Sequence, residues 1–166
     1  MQGNEYVLVK EFHEKFNCLY HAVPALMDED VLNLRLSLIN EEVKELSDAI
    51  TMYNISVENN NYTEMVLYLT EMLDAITDLL YVVYGFCVTF GLPIKQMFEH
   101  VHTSNLTKLD TDNKPVYNEY GKVLKGSNFV PPNFYMLATA LLNDAVGANI
   151  LKGEKQYDVE TYEDAI

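Results

Sequence analysis

The chain has few basic residues for its size. Its 166 residues include 11 lysines and arginines against 25 aspartates and glutamates, a formal net charge of -14. Such a charge opposes contact with a nucleic-acid backbone, so we expect no nucleic-acid partner. Arg35 is the only arginine, and no basic residue occurs between Lys44 and Lys95. An anionic small substrate would therefore need metal ions and a few well-placed lysines.

Cysteine is scarce too, and no long uninterrupted apolar run is present. Cys18 and Cys87 lack the Cys-x-x-Cys spacing, which favours a reduced, cytoplasmic protein over a disulfide scaffold. The N-terminus carries acidic residues early, so no signal peptide is predicted. Residues 79–94 are uncharged, but Gly91 and Pro93 interrupt them, and they are fewer than the ~20 that a membrane span needs. We predict a buried helix here and no membrane partner.

Apolar residues recur at helical period along most of the chain, which predicts an all-α fold. We expect one domain over residues 1–151, an antiparallel bundle of four to five helices, and an acidic tail over residues 152–166. A lysine-containing loop over residues 105–132 would precede the last helix. Asp28 is the predicted N-cap of the second helix, and Gly91 the stop of the third. The predicted helices span residues 7–20, 29–53, 62–90, 92–104 and 134–151.

Two pairs of acidic residues have the same helical spacing, Glu42-x-x-Glu45 and Glu71-x-x-Asp74. Residues three apart share a helix face, so antiparallel packing of the two helices would bring four carboxylates together. The second pair interrupts a helix that is otherwise apolar on nearly every side, and a buried, unpaired carboxylate is costly. With no local basic partner, a hard divalent cation resolves the conflict. The sequence therefore predicts a Mg²⁺ site, with Mn²⁺ as a substitute.

For other polar residues, the sequence leaves more than one role open. Glu41 is either a solvated residue or a further functional acid. Asp78 lies one turn beyond Asp74, where ligation competes with an outer-shell role or a hydrogen bond to another helix, so it is left out of the metal set. Arg35 either braces a carboxylate or pairs at a subunit contact. Glu99-x-x-His102 is a single copy of a di-iron motif that requires two copies.

The pattern Glu41-Glu42-x-x-Glu45, followed by Glu71-x-x-Asp74, resembles that of the all-α nucleoside triphosphate pyrophosphatases. This superfamily includes MazG, the dimeric dUTPases and the phosphoribosyl-ATP pyrophosphohydrolases. The likeness extends through SNLTKL, GKVLKG and PPNF and covers residues 34–134. It is similar to the MazG-like branch related to phosphoribosyl-ATP pyrophosphohydrolase.

The resemblance implies Mg²⁺-dependent cleavage of a (deoxy)nucleoside triphosphate between its α and β phosphates, giving a monophosphate and pyrophosphate, in cleaning or shaping the nucleotide pool. It assigns catalysis to Glu41, Glu42 and Glu45. Glu42 and Glu45 would also hold the metal, together with Glu71 and Asp74. Water would attack the α-phosphorus in line with the departing pyrophosphate, with Glu41 as the general base if it does not ligate metal.

Four residues of the two later motifs are implied to bind substrate phosphates, namely Asn105, Lys108, Lys122 and Lys125. The alternative for the three lysines is that they are loop charges that aid solubility. Phe12, His13 and Phe16 are a further hypothesis, a base pocket formed by stacking. The third helix has more apolar surface than one chain can cover, so we expect a homodimer.

The substrate is left open among dUTP, another deoxynucleotide such as dGTP, and phosphoribosyl-ATP. A second class of function is a metal-binding or nucleotide-sensing helical bundle without turnover. The complete acidic set argues against this second class, because a sensor needs no group that activates a nucleophile.

Overall fold

The computed structural model describes residues 4–26 and 28–151, with side chains as far as residue 147. Five helices follow one another along the described chain, and no strand is formed there. In chain order they are α1 (Asn4–Lys15), α2 (Glu29–Glu58), α3 (Tyr62–Phe90), α4 (Ile94–Leu106) and α5 (Tyr135–Leu151). The all-α prediction is confirmed. The tail predicted for residues 152–166 lies outside the described residues.

The two longest helices, α2 and α3, form an antiparallel hairpin with the most extensive packing in the molecule. Asp28 caps α2 as predicted, because its side chain accepts a hydrogen bond from the Asp30 backbone N–H. The polar turn predicted at residues 54–61 is shorter than expected, since the helix continues to Glu58. Asn60 takes a left-handed conformation with φ 51°, and the side chain of Asn61 caps α3.

Helix α1 packs on the C-terminal half of α3 and ends earlier than predicted. It stops at Lys15 because Asn17 turns the chain at φ 57°. The following segment runs along the end of α3, where the His21 and Ala25 N–H groups donate to carbonyls of Val88 and Phe90, each at 3.2 Å. These bonds fix α1 and its connection against α3.

A small core fills the contact between α1 and α3. Tyr6, Val9, Cys87 and Val88 form a buried cluster, with Tyr84, Leu92 and Ile94 packed against it. At its edge Gly91 ends α3 with φ 64° in the left-handed region. A Cβ at Gly91 would lie 2.3 Å from the Val23 carbonyl oxygen, so this position requires glycine.

The middle of the α2–α3 hairpin is much less covered. Apolar residues at helical period form a stripe on α2, but the stripe is not fully buried within the chain, because Leu36, Val43 and Ile50 are exposed. On α3, Leu73 is 61% exposed, and Ile76 and Leu80 are also exposed. The helical periodicity was correct, but one face of each helix has no cover from the described part of the chain.

Beyond α3, the chain forms α4, an irregular hairpin and α5. Tyr117 and Val123 form an isolated antiparallel bridge, and the Asn118 side chain accepts hydrogen bonds from the backbone of Tyr120 and Lys122. At the start of α5, the Tyr135 N–H donates a hydrogen bond to Asn133 Oδ1 at 3.0 Å. α4 and α5 have no extensive packing against α2 or α3.

Length and composition alone would allow one described helix, α3, to cross a membrane. The same test is passed by core helices of soluble proteins, and a single such helix is weak evidence.

Candidate active site on the α2–α3 hairpin

The register between α2 and α3 places the predicted acids near one another. The Arg35 guanidinium on α2 lies 3.3 Å from the place a Cβ on Gly85 of α3 would occupy. Because the helices are antiparallel, seven residues further along α2 should face seven residues back along α3, which sets Glu42 opposite Asp78. Further along the contact, the small buried residues Ala49 and Ala75 allow the two backbones to approach closely.

Electrostatic interactions agree with this register. The pKa of Glu42 is raised, first by burial and then by the like charges of Glu45, Asp78, Glu41 and Asp74. No basic group opposes these effects. The side-chain oxygen Oε2 of Glu42 is buried and has no hydrogen-bond partner among the described residues. Glu42 is therefore a carboxylate whose ionised form is not compensated by the protein.

The four predicted metal ligands are not equally placed. Glu42 is partly buried, whereas Glu45, Glu71 and Asp74 are exposed. Glu45 and Asp74 are close enough to raise the pKa of Glu42, but Glu71 is not among the charges that do so. The register sets Glu71 near the level of Ala49, two turns from Asp78. Glu71 belongs to the same strip of α3 but lies towards one end of the acidic group.

The sequence analysis leaves Asp78 out of the metal set, but the structure places its carboxylate close to Glu42. Its charge raises the pKa of Glu42 more than that of Asp74 does. The signal was available in the spacing, because Asp78 lies four residues after Asp74 and on the same helix face. The group of carboxylates that meet at the helix contact therefore contains Asp78. We call these five residues the acidic strip: Glu42, Glu45, Glu71, Asp74 and Asp78.

The acidic strip fits a divalent cation by the chemistry of its donors. It supplies only carboxylate oxygens, which Mg²⁺ and Mn²⁺ prefer, and its buried oxygen on Glu42 lacks any other partner. Within the described residues, however, no three Asp, Glu, His or Cys side chains converge closely enough to form a ready-made metal site. The exposed members of the strip would have to turn towards a shared ion.

Every lysine in the described helices is paired with an acid four residues away. The pairs are Lys10–Glu14 at 3.3 Å, Lys15–Glu11 at 2.6 Å, Lys44–Asp48 at 2.6 Å and Lys95–Glu99 at 3.5 Å. Arg35 is buried between α1 and α3 rather than at the acidic strip. Its guanidinium lies beside Gly85 of α3, and it is 5% exposed.

The remaining described lysines all lie between α4 and α5, and none has an ion pair with another described residue. They are Lys108, Lys114, Lys122 and Lys125. Lys108 and Lys125 are brought together where the Gly126 N–H donates to the Lys108 carbonyl at 3.2 Å. The Lys125 ammonium lies 4.7 Å from the Phe129 ring centroid. Asn105 precedes this hairpin in the last turn of α4, with its side chain exposed.

Comparison with known proteins identifies the family. The sequence profile of phosphoribosyl-ATP pyrophosphohydrolase matches residues 9–105, more than half of the chain. The chain belongs to this family. It is also similar to an uncharacterized protein of Acanthamoeba polyphaga mimivirus, with 35% identity over 127 residues. That alignment covers 71% of this chain, but the chain spans only 45% of the length of the viral protein.

The family match includes every acid of the strip and ends at Asn105. This phosphoribosyl-ATP pyrophosphohydrolase family member therefore carries the acidic strip inside the matched region, whereas Lys108, Lys122 and Lys125 follow it. The predicted substrate role of these three lysines rests on the shorter motifs and on their lack of ion-pair partners.

The base pocket suggested by the sequence is only partly open. His13 is 2% exposed, and its Nδ1 is hydrogen-bonded to the Leu19 carbonyl at 2.8 Å. Burial, partly offset by this bond, lowers the pKa of His13 to about 4, so the ring is neutral near pH 7. His13 is a core residue and not part of an open pocket. Phe16, by contrast, is 59% exposed.

Proposed function

We propose that this protein is a Mg²⁺-dependent nucleotide pyrophosphohydrolase that cleaves a (deoxy)nucleoside triphosphate between the α and β phosphates. The observation that carries the proposal is the Glu42 carboxylate, which has a buried and unpartnered oxygen and three acidic neighbours of the strip. A carboxylate cluster with no basic partner opposes folding unless it has a cationic ligand. The family profile supports the same reaction class.

In the proposed site, Glu42, Glu45, Glu71 and Asp74 hold Mg²⁺, with Asp78 as an additional carboxylate facing Glu42. Bound Mg²⁺ neutralises the triphosphate and lowers the pKa of attacking water. Glu41 lies beside Glu42 and is exposed, so it is placed to accept a proton from that water. The strip thus provides both the charge to hold the ion and a base next to it.

The departing pyrophosphate carries negative charge and needs cationic partners. Lys108, Lys122 and Lys125 are the predicted cationic partners. The lysines of the described helices are already paired with acids four residues away. A lysine ammonium binds phosphate as a point charge and needs no bidentate geometry. Asn105 would add an amide donor beside them.

The proposal includes a homodimer. Leu36 and Val43 on α2, and Leu73 and Leu80 on α3, lie on helix faces that the described chain leaves open. An apolar face of this kind needs cover, and a second copy applied through the same surface gives a closed twofold assembly.

Phosphoribosyl-ATP is the second candidate substrate, because the matching family is described by that activity. A binding protein without turnover is the third possibility. It differs from both hydrolases because it releases no pyrophosphate. The free cysteines, both buried, support our further proposal of a reducing, cytoplasmic compartment. We propose no nucleic-acid or membrane partner.

A pyrophosphate-release assay tests the function. The panel contains the deoxynucleoside triphosphates, dUTP and phosphoribosyl-ATP, each with Mg²⁺, with Mn²⁺ and with a chelator. Glu42→Gln should lower kcat/KM at least about 100-fold, since even outer-shell partners of a metal contribute about 10–100-fold. Glu58→Gln, at the exposed end of the same helix, is the matched control and should retain activity.

Two outcomes contradict the proposal. Tight nucleotide binding with no pyrophosphate release would favour the binding protein. Release that persists unchanged in Glu42→Gln, or in the presence of the chelator, would remove the acidic strip and its ion from the mechanism.

A further inference from the structure

An exposed group of aromatic rings continues the acidic strip along α3. Tyr81 lies three residues after Asp78, about 4.5 Å further along the helix axis and on the same face. The Phe12 ring on α1 meets Tyr81 edge to face, with centroids 5.8 Å apart. Phe16 stacks on Phe12 with centroids 4.4 Å apart and planes inclined by 26°. We call Phe12, Phe16 and Tyr81 the aromatic platform.

The platform is open to solvent and is held in a fixed geometry. Phe16 is 59% exposed and Tyr81 is 38% exposed, whereas the half-buried Phe12 joins them. Immediately beside it, His13 is anchored in the core by its bond to Leu19, which fixes the helix turn that carries both phenylalanines. The platform therefore presents exposed aromatic rings, among them the open Phe16 ring, whose position does not depend on a ligand.

We propose that the aromatic platform binds the nucleobase of the substrate by stacking. This inference rests on the proposed function, because it takes the triphosphate to lie on the acidic strip. Because Tyr81 lies less than one helical turn beyond Asp78 on α3, the nucleoside of a triphosphate held on the strip would lie beside the platform. Aromatic side chains stack on any base, since every base has a π-face.

The same geometry limits what the platform can discriminate. His13 is buried and neutral near pH 7, so it supplies neither an open ring nor a charge to the base edge. The Tyr81 hydroxyl keeps its proton, because its pKa is raised first by burial. Stacking is thus the main contribution, and preference among bases comes from other groups.

Base-free and base-containing substrates separate the platform from the rest of the site. Phe16→Ala should raise the KM for a deoxynucleoside triphosphate roughly tenfold while kcat stays within about twofold. The KM for methyl triphosphate, which lacks a base, should not change. Phe16→Trp restores a stacking ring and should restore the nucleotide KM. Phe98→Ala, which removes a phenylalanine on α4 that is even more exposed than Phe16, is the matched control and should behave as the unsubstituted protein.

Three results would overturn the proposal. In the first, Phe16→Ala leaves the KM for the deoxynucleoside triphosphate unchanged. In the second, Phe16→Ala raises the KM for methyl triphosphate as much as the KM for the nucleotide. In the third, Phe16→Ala but not Phe98→Ala would convert a dimer into monomers in sedimentation, which would make the platform a subunit contact.

A binding measurement distinguishes failure of this proposal from failure of the proposed function. In ligand-detected NMR with an α,β-methylene deoxynucleotide and Mg²⁺, saturation of the protein should reach the base protons, and Phe16→Ala should weaken this transfer. If no nucleotide releases pyrophosphate but the base protons still respond through Phe16, the hydrolase proposal fails and the platform stands. Pyrophosphate release without any base-proton response would leave the hydrolase and remove the platform.

Discussion

The two halves of α3 have similar apolar composition but different surroundings. Its C-terminal half is sealed against α1 and the segment after it, and Val88 is completely buried. Its N-terminal half carries acids of the strip and exposes large apolar side chains, among them Leu67, Leu69 and Leu73. The hydrophobicity of a helix segment therefore does not show whether its apolar side chains are buried by other parts of the same chain. The sealed half is a self-contained core, whereas we propose that the open half is completed by an ion and a second copy.

The largest expected effect is at the glycine that closes the sealed half. Gly91→Ala should lower the free energy of unfolding by about 3 kcal/mol or more, because a left-handed conformation costs a non-glycine residue about 1–2 kcal/mol and the new Cβ would overlap the Val23 carbonyl. Gly121→Ala is the matched control, with φ 77° and nothing within 4 Å of its Cβ. It should show the conformational cost alone. Equal losses in urea unfolding would show that the contact with Val23 is unimportant.

The buried histidine should make the sealed half sensitive to acid. The pKa of His13 is lowered from 6.5 to about 4 in the folded protein, so between these values the unfolded chain binds the extra proton. Stability should therefore be complete above pH 6.5 and fall by roughly 3 kcal/mol as the pH drops to 4. Urea unfolding across this range measures the slope. His13→Gln should flatten it, and an unchanged slope would assign the acid sensitivity to another group.

Paired substitutions in the two halves test the comparison directly. Val88→Ala should reduce stability by about 2 kcal/mol through lost burial and a cavity. Leu73→Glu should instead weaken association, since Leu73 is exposed in the isolated chain. Sedimentation at several protein concentrations measures the second effect. If Leu73→Glu leaves the association unchanged, the open face of α3 is not the dimer contact.

The smallest predicted effect concerns Asp78, which joins the open half to the ion. Asp78→Asn should weaken Mg²⁺ binding about 10–100-fold, the range for a group that supports or completes a metal site. Isothermal titration with Mg²⁺ in the presence of a nucleotide analogue checks it. Asp48→Asn removes an exposed aspartate of α2 that already pairs with Lys44 and should have little effect. Equal affinities for the two variants would return Asp78 to a purely structural role.

Local chemistry made much of the fold predictable from the sequence. The caps at Asp28 and Gly91, and the bounds of α3, follow from backbone groups that need partners or a left-handed turn, and they are confirmed. The end of α1 was predicted too late, because Asn17 can take a positive φ that no periodicity reveals. The length of α2 was underestimated because the polar residues near Asn54 still propagate a helix.

Tertiary position explains what the sequence did not reveal about the site. The spacing of Glu42, Glu45 and Asp74 was enough to expect neighbouring carboxylates. The prominence of Asp78 depends on the register of α2 against α3, which is fixed by contacts such as Arg35 beside Gly85. His13 has the aromatic neighbours of a base pocket, yet its burial depends on how α1 packs against α3. The exposure of the α2 stripe depends on which elements pack against α2, and the periodicity of the sequence does not reveal this.

The acids of α3 have an effect that is separate from chemistry. Glu71, Asp74 and Asp78 lie near the middle of a 29-residue helix that is otherwise long and apolar enough to enter a lipid bilayer. On insertion scales an aspartate at the centre of such a helix costs about 3 kcal/mol. The carboxylates therefore also set an energetic barrier that disfavours insertion of this helix into lipid while the chain is being made. Neutralising all of them at once would lower that barrier.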